Sequence, residues 1–173
     1  GKGRIFIEEV DRSQKVKTKF LPIPSILRNK KVIVIDDSIV RSTTMKTLIS
    51  YHLKKIAGAK EVHVRIATPP IVAPCYYGID MKSFEELFAA KYFDKMENGR
   101  LPDGVLEEMA RYLKADSLIY MTHQSLLKAL GLERSEICMA CLDRKYPTPY
   151  AKETDRESYS KWEKECTGCP GKG

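Results

Sequence analysis

The run from Val32 to Thr44 reads Val-Ile-Val-Ile-Asp-Asp-Ser-Ile-Val-Arg-Ser-Thr-Thr, and it constrains the chain more than any other feature. Val32–Ile35 is β-branched throughout, the pattern of a strand buried on both faces. Two adjacent carboxylates follow at once. The hydroxyls of Ser42, Thr43 and Thr44 then offer N-cap chemistry to a helical pattern from Met45 to Ile56, with Leu48, Ile49, Leu53 and Ile56 on one face. Gly58 stops that helix, and Glu61–Ala67 reads as a second strand. Strand, helix and strand over this length make a βαβ unit, hence a parallel sheet. Ligands of such sheets bind at the carboxyl ends of the strands, where Asp36 and Asp37 stand.

The remaining pattern extends this α/β reading. Arg4–Ile7 reads as a short strand, and residues 8–19 as a charged loop closed by Pro22 and Pro24. A proline-rich loop from Thr68 to Pro74 leads to Cys75. Ser83 and Glu86 predict a capping box opening a helix to Ala90. Asp103–Leu113 reads as a helix, Ser117–Tyr120 as a third strand, and Thr122 or Ser125 opens a helix ended by Gly131. Residues 151–173 read as a polar, helical, Cys-rich tail containing Cys166 and Cys169, in which Trp162 reads as packing.

Charge is placed unevenly. Before Val32 there are nine basic and three acidic side chains, whereas the rest of the chain is nearly neutral. A local positive field favours an anionic ligand. Near-neutrality around the cysteines argues against a nucleic-acid binder. No apolar stretch is long enough to span a membrane, and no secretory segment is visible. Four of the five cysteines form two Cys-x-x-Cys pairs, Cys138/Cys141 and Cys166/Cys169, a spacing that suits metal or cluster ligation. His52, His63 and His123 have no ligand spacing and read as helix-surface or strand-edge residues.

The Val32–Thr44 run divides into two chemistries. A helix N-terminus rich in hydroxyls suits a phosphate monoester. Carboxylates would repel that phosphate, but they suit sugar hydroxyls or a Mg²⁺ ion. A ligand with both groups is a ribose 5-phosphate. If pyrophosphate leaves its C1, the ring gains oxocarbenium character that nearby carboxylates stabilise.

These residues resemble the phosphoribosyltransferase part of the amidophosphoribosyltransferases, which open purine biosynthesis. Arg4-Ile5-Phe6-Ile7, Lys15-Val16-Lys17-Thr18-Lys19, Asp36–Thr44, Tyr77-Gly78-Ile79-Asp80-Met81 with Glu85-Glu86-Leu87, Ala115-Asp116-Ser117-Leu118, Cys138-Met139-Ala140-Cys141 and Tyr146-Pro147-Thr148-Pro149-Tyr150 all look like that family. The resemblance implies a type I phosphoribosyltransferase fold, a parallel sheet flanked by helices, in residues 1–150. It implies that the first strands and the glutaminase domain are absent from this chain. Residues 1–22 would form the flexible loop and 32–44 the loop for 5-phosphoribosyl 1-pyrophosphate (PRPP). Asp36 and Asp37 would bind Mg²⁺ and the ribose hydroxyls and act in catalysis. Ser38, Arg41, Ser42, Thr43 and Thr44 would hold the 5′-phosphate, and Lys19 would lie on the loop that closes over PRPP. Ser42 stands where the family usually has glycine, a residue that tolerates positive φ and close approach to phosphate.

The implied reaction is attack of glutamine-derived ammonia on C1 of PRPP, giving 5-phosphoribosylamine and pyrophosphate. The alternative is a non-catalytic PRPP- or nucleotide-binding module of the same fold. In cluster-bearing members, Cys75, Cys138 and Cys141 would be iron–sulfur ligands, with the fourth upstream or supplied by Cys166 or Cys169. Cys138, Cys141, Cys166 and Cys169 instead make a plausible zinc set. Purine nucleotide inhibitors, a glutaminase domain or other parts of a parent chain, a homo-oligomer and a cytoplasmic location complete the expectations.

Overall fold

The computed structural model describes residues 20–97 and 99–166. The strand expected over Arg4–Ile7, the loop with Lys19, and Cys169 lie outside the described residues. Three strands, β1 (Lys31–Asp36), β2 (Glu61–Ile66) and β3 (Ser117–Tyr120), form a parallel sheet in the order β1-β2-β3. A short helix α1 (Pro24–Leu27) precedes it. Between β1 and β2 the chain forms helix α2 (Ser42–Thr47), which widens into a π-helix over Leu48–Ile56. Near that junction Ser50 Oγ donates to the Lys46 carbonyl at 2.7 Å, competing with the regular backbone ladder. Helix α3 (Asp103–Leu113) leads into β3, and α4 (His123–Leu130) leaves it. Thr122 caps α4 by accepting from Ser125 N–H, and Gly131 ends it at φ +67°.

The helices α2 and α3 cover one face of the sheet. Val62, Val64, Ile66 and Leu118 are buried there with Ile49, Leu53, Met109 and Leu113, forming the first core. The other face carries Ile33 and Ile35 of β1, His63 and Arg65 of β2, and Ser117 and Ile119 of β3, aligned by the register. Ile33 is 64% exposed and Ile35 78%. This corrects the expectation that β1 is buried on both faces. Among the described residues β1 is an edge strand, and its β-branched run is buried only through Val32 and Val34, which are themselves partly covered.

The second core gathers Ile71, Ala73, Met81, Phe84, Leu87 and Tyr146 with Met139, Ala140 and Leu142 around helix α5 (Ala140–Asp143), and with Ala151 and Trp162 of helix α6 (Pro149–Glu165). The helical character expected of the tail is present through Glu165, and the helix packs on this core. Thr148 caps it, and Pro149 stands in its first turn. Trp162 stacks on Phe84 with ring centroids 5.3 Å apart, the packing role expected of it. The Ser83/Glu86 capping box is present, but it opens only a 3₁₀ turn, Phe84–Glu86, followed by another over Ala90–Lys95. Of the histidines, His52 is buried at 2% exposure, edge-on to Phe20 and Tyr51, rather than on a helix surface. No helix among the described residues is long and apolar enough to cross a membrane.

Candidate functional site

β1 delivers Asp36 and Asp37 to its carboxyl end, and both remain exposed. The turn after them is built from their own side chains. Asp37 N–H donates to Asp36 Oδ1 (3.0 Å), and Ser38 N–H and Oγ both donate to Asp37 Oδ1 (2.6 and 3.3 Å). From the end of β2, Thr68 Oγ1 donates to the Asp37 carbonyl at 3.0 Å and Ala67 N–H to the Asp36 carbonyl at 3.0 Å. Ile39 then turns inward and is buried, anchoring the loop to the first core. The four carboxylate oxygens are only partly used by these bonds, since each can accept more than one hydrogen bond or a cation. Exposed carboxylates fixed at a strand end fit a hydrated Mg²⁺ ion, which takes one or two carboxylates and keeps its other oxygens for phosphate or water.

Arg41 occupies the N-cap position of α2, with extended backbone (φ −113°, ψ 136°) and no side-chain cap. Ser42, Thr43 and Thr44 therefore lie inside the first turn rather than at the cap, a correction to the expected capping. Ser42 has no positive φ: among the described residues only Asn29, Lys114 and Arg144 do so without being glycine. The serine consequently sits at a backbone conformation open to any residue. The Arg41 guanidinium pairs with Glu86. A cleft of ≈280 Å³ beside this pair is lined by Arg41, Ser42, Thr43, Glu86, Lys91 and Tyr112 among others. Glu86, Lys91 and Thr68 were not singled out as site residues from the sequence. Glu86 was visible as a capping-box partner and within the family-like Glu85-Glu86-Leu87 segment; Thr68 and Lys91 carry no local signal, because only the packing of β2 and of the 3₁₀ turns brings them here.

Cys75, Cys138 and Cys141 are drawn toward one another at the second core. Val72 and Ala73 N–H donate to the Cys141 carbonyl (2.9 and 3.1 Å), which lays the segment leading to Cys75 beside helix α5. Tyr77 N–H donates to Cys75 Sγ at 3.4 Å. Burial, with the neighbouring Cys75 and Cys138 sulfurs, pushes the Cys141 thiol up to about 11. All three thiols are free, whereas Cys166 is disulfide-bonded. Among the described residues no group of three or more His, Cys, Asp or Glu side chains is arranged to hold a metal ion. The three thiols match cluster or zinc ligands in kind, and their shared location follows from the backbone pairing rather than from a closed coordination shell.

Comparison with known proteins gives a consistent set of relatives. No protein-family model matches the chain. Amidophosphoribosyltransferase of Methanocaldococcus jannaschii is 42% identical over 148 residues, 84% of this chain and 28% of that protein. The chloroplastic amidophosphoribosyltransferase 1 of Arabidopsis thaliana is 42% identical over 147 residues, 84% of this chain and 24% of that protein. Among solved structures, glutamine PRPP amidotransferase of Bacillus subtilis complexed with ADP and GMP superposes with a TM-score of 0.63 at 35% identity. That match covers 83% of this chain and 30% of the other. The chain thus spans less than a third of the length of these relatives.

Proposed function

We propose, from the premise that this chain is homologous over most of its length to the phosphoribosyltransferase part of the amidophosphoribosyltransferases, that residues 36–44 bind Mg²⁺–PRPP for transfer of an amino group to its C1. One observation carries this reading. Two exposed carboxylates at the end of β1 stand directly before a helix whose first turn holds Ser42, Thr43 and Thr44. The carboxylates of Asp36 and Asp37 hold Mg²⁺ and the ribose diol and stabilise positive charge on the ring as pyrophosphate leaves. Ser38, the Ser42–Thr44 hydroxyls and the N–H groups of the turn take the 5′-phosphate, with Arg41 at the head of that turn. Residues 1–22 with Lys19 close over the ligand and exclude water, which competes with ammonia as nucleophile. Residues 1–150 act as the transferase unit and 151–173 as an appended segment.

The whole reaction needs ammonia from glutamine, so the partner is a glutaminase domain in the same assembly, which we take to be homo-oligomeric. Purine nucleotides are its inhibitors; the B. subtilis relative solved with ADP and GMP supports that reading. The thiols of Cys75, Cys138 and Cys141 are the side chains that would hold an iron–sulfur cluster; the alternative zinc set, Cys138 and Cys141 with Cys166 and Cys169, needs the Cys166 disulfide reduced. Such a group would staple the second core and take no part in the transfer. Iron, sulfide and zinc analysis of anaerobically purified protein separates these cases; one zinc and no iron overturns the cluster.

Titration calorimetry with Mg²⁺–PRPP, followed by ammonia-dependent pyrophosphate release, tests the central reading. Binding that requires Mg²⁺ and is weakened about tenfold or more in Asp36→Asn supports it. Absence of binding overturns it, and binding without pyrophosphate release under saturating ammonia replaces it with the non-catalytic module, which no particular observation favours.

A further inference from the structure

We propose that Glu86 is the positioning residue of the 5′-phosphate loop, fixing through Arg41 the turn whose backbone N–H groups receive the phosphate. The proposal rests on the reading of residues 36–44 as a PRPP loop. Glu86 lies 45 positions along the chain from Arg41, on the Phe84–Glu86 turn, and its carboxylate is fully divided. Oε2 pairs with the Arg41 guanidinium, while Oε1 accepts the N–H groups of Lys82 (2.5 Å) and Ser83 (3.2 Å). Two residues further on, Phe88 N–H donates to the Val40 carbonyl at 2.9 Å. Residues 40 and 41, the last two before α2, are therefore each tied to the 86–88 segment.

The consequence lies in the unsatisfied donors. An N-cap residue is usually Ser, Thr, Asp or Asn, whose side chain consumes an N–H of the first turn. Here the N-cap is an arginine that makes no such bond and whose side chain is committed to Glu86. The first-turn N–H groups are left for a ligand, as a phosphate site requires. Neutralised by Glu86, Arg41 sets the position of the turn rather than serving as the main phosphate cation.

Glu86→Gln separates this role from simple capping, because glutamine also serves a capping box but carries no charge for Arg41. The chain is titrated with ribose 5-phosphate, and separately with Mg²⁺–PRPP, as wild type, Glu86→Gln, Arg41→Gln and the double variant. Glu86→Gln is expected to weaken ribose 5-phosphate binding about tenfold, with no further loss once Arg41 is already Gln. Unchanged affinity in Glu86→Gln, or an equal loss in both backgrounds, overturns the positioning role. Wild type that binds neither probe overturns the loop reading, and this proposal with it. If Asp36→Asn weakens Mg²⁺–PRPP binding while Glu86→Gln leaves it intact, the loop reading stands and only the positioning role falls.

Discussion

Asp36 and Asp37 are adjacent and alike in type, yet the backbone uses them differently. Asp37 Oδ1 holds both polar groups of Ser38, whereas Asp36 Oδ1 receives only Asp37 N–H. Asparagine keeps an acceptor oxygen at either site and removes only the charge, so Asp36→Asn and Asp37→Asn should each leave the melting temperature nearly unchanged. Each should weaken Mg²⁺–PRPP binding by about ten- to hundredfold, the loss of one interaction with a charged group, read by calorimetry. Asp37→Ala should in addition loosen the turn. Gly99 presents a steric rather than a chemical constraint. Its φ is +75°, and a Cβ there would fall 2.3 Å from His123 Nδ1. Gly99→Ala should therefore cost about 1–3 kcal/mol, checked by urea denaturation. The sequence displayed Asp36 and Asp37 because chemistry and position coincide in one short run. It hid Gly99, whose constraint comes from a histidine 24 positions away.

Local rules were legible where an element ends on its own chemistry. Thr122 and Gly131 bound α4, and the Ser83/Glu86 box formed, because these depend on neighbours within a few residues. The length of the turn after Ser83 was not legible, since packing of Phe84 against α6 decides it. A helical tail was expected, but the packing of helix α6 was obscured by its polarity, although its buried positions, Ala151, Asp155 and Trp162, fall on one helical stripe. Its attachment is ionic as well as apolar. Asp155 is 6% exposed and accepts from Arg144 Nε and Nη2 (3.2 and 2.9 Å). The Arg144 guanidinium lies 3.5 Å from the Tyr159 ring centroid. Removing one partner of a buried pair leaves the other uncompensated, so Asp155→Ala should cost about 3–5 kcal/mol, measured by denaturant titration. Helix α5 carries its own test. With its thiol raised to about 11, Cys141 is almost wholly protonated near neutral pH, while Cys138 is exposed. Iodoacetamide should label Cys138 well before Cys141, with the difference narrowing only as pH approaches 11. Equal labelling at neutral pH, resolved by peptide mass spectrometry, would contradict the buried environment described for Cys141.

Across the molecule, the carboxyl groups of Glu86 and Asp116 respond to acid in the same direction. Burial would raise Glu86, but the Lys82 and Ser83 N–H groups and Arg41 outweigh it and hold this carboxyl below its ordinary value. Asp116 is likewise held low against burial by Val62 N–H, which donates at 2.7 Å, and by Lys54. A carboxyl lower in the folded than in the unfolded chain stabilises fully above its ordinary pKa, about 4. That contribution disappears as pH falls through the lowered folded value. The urea midpoint should accordingly drop below about pH 4, and less steeply in Glu86→Gln with Asp116→Asn. The placement of the single tryptophan makes the partition between the cores observable with light. Trp162 emits from between Phe84 and Tyr159, wholly inside the second core, while the sheet and its helices contain none. Fluorescence excited at the red edge of indole absorption is blind to the first core, whereas circular dichroism of the backbone sees both. Superimposable melting curves from the two signals mean that loss of either core takes the other with it. A fluorescence transition at lower temperature means that the cysteine-bearing half can melt away from the half that carries the phosphate loop.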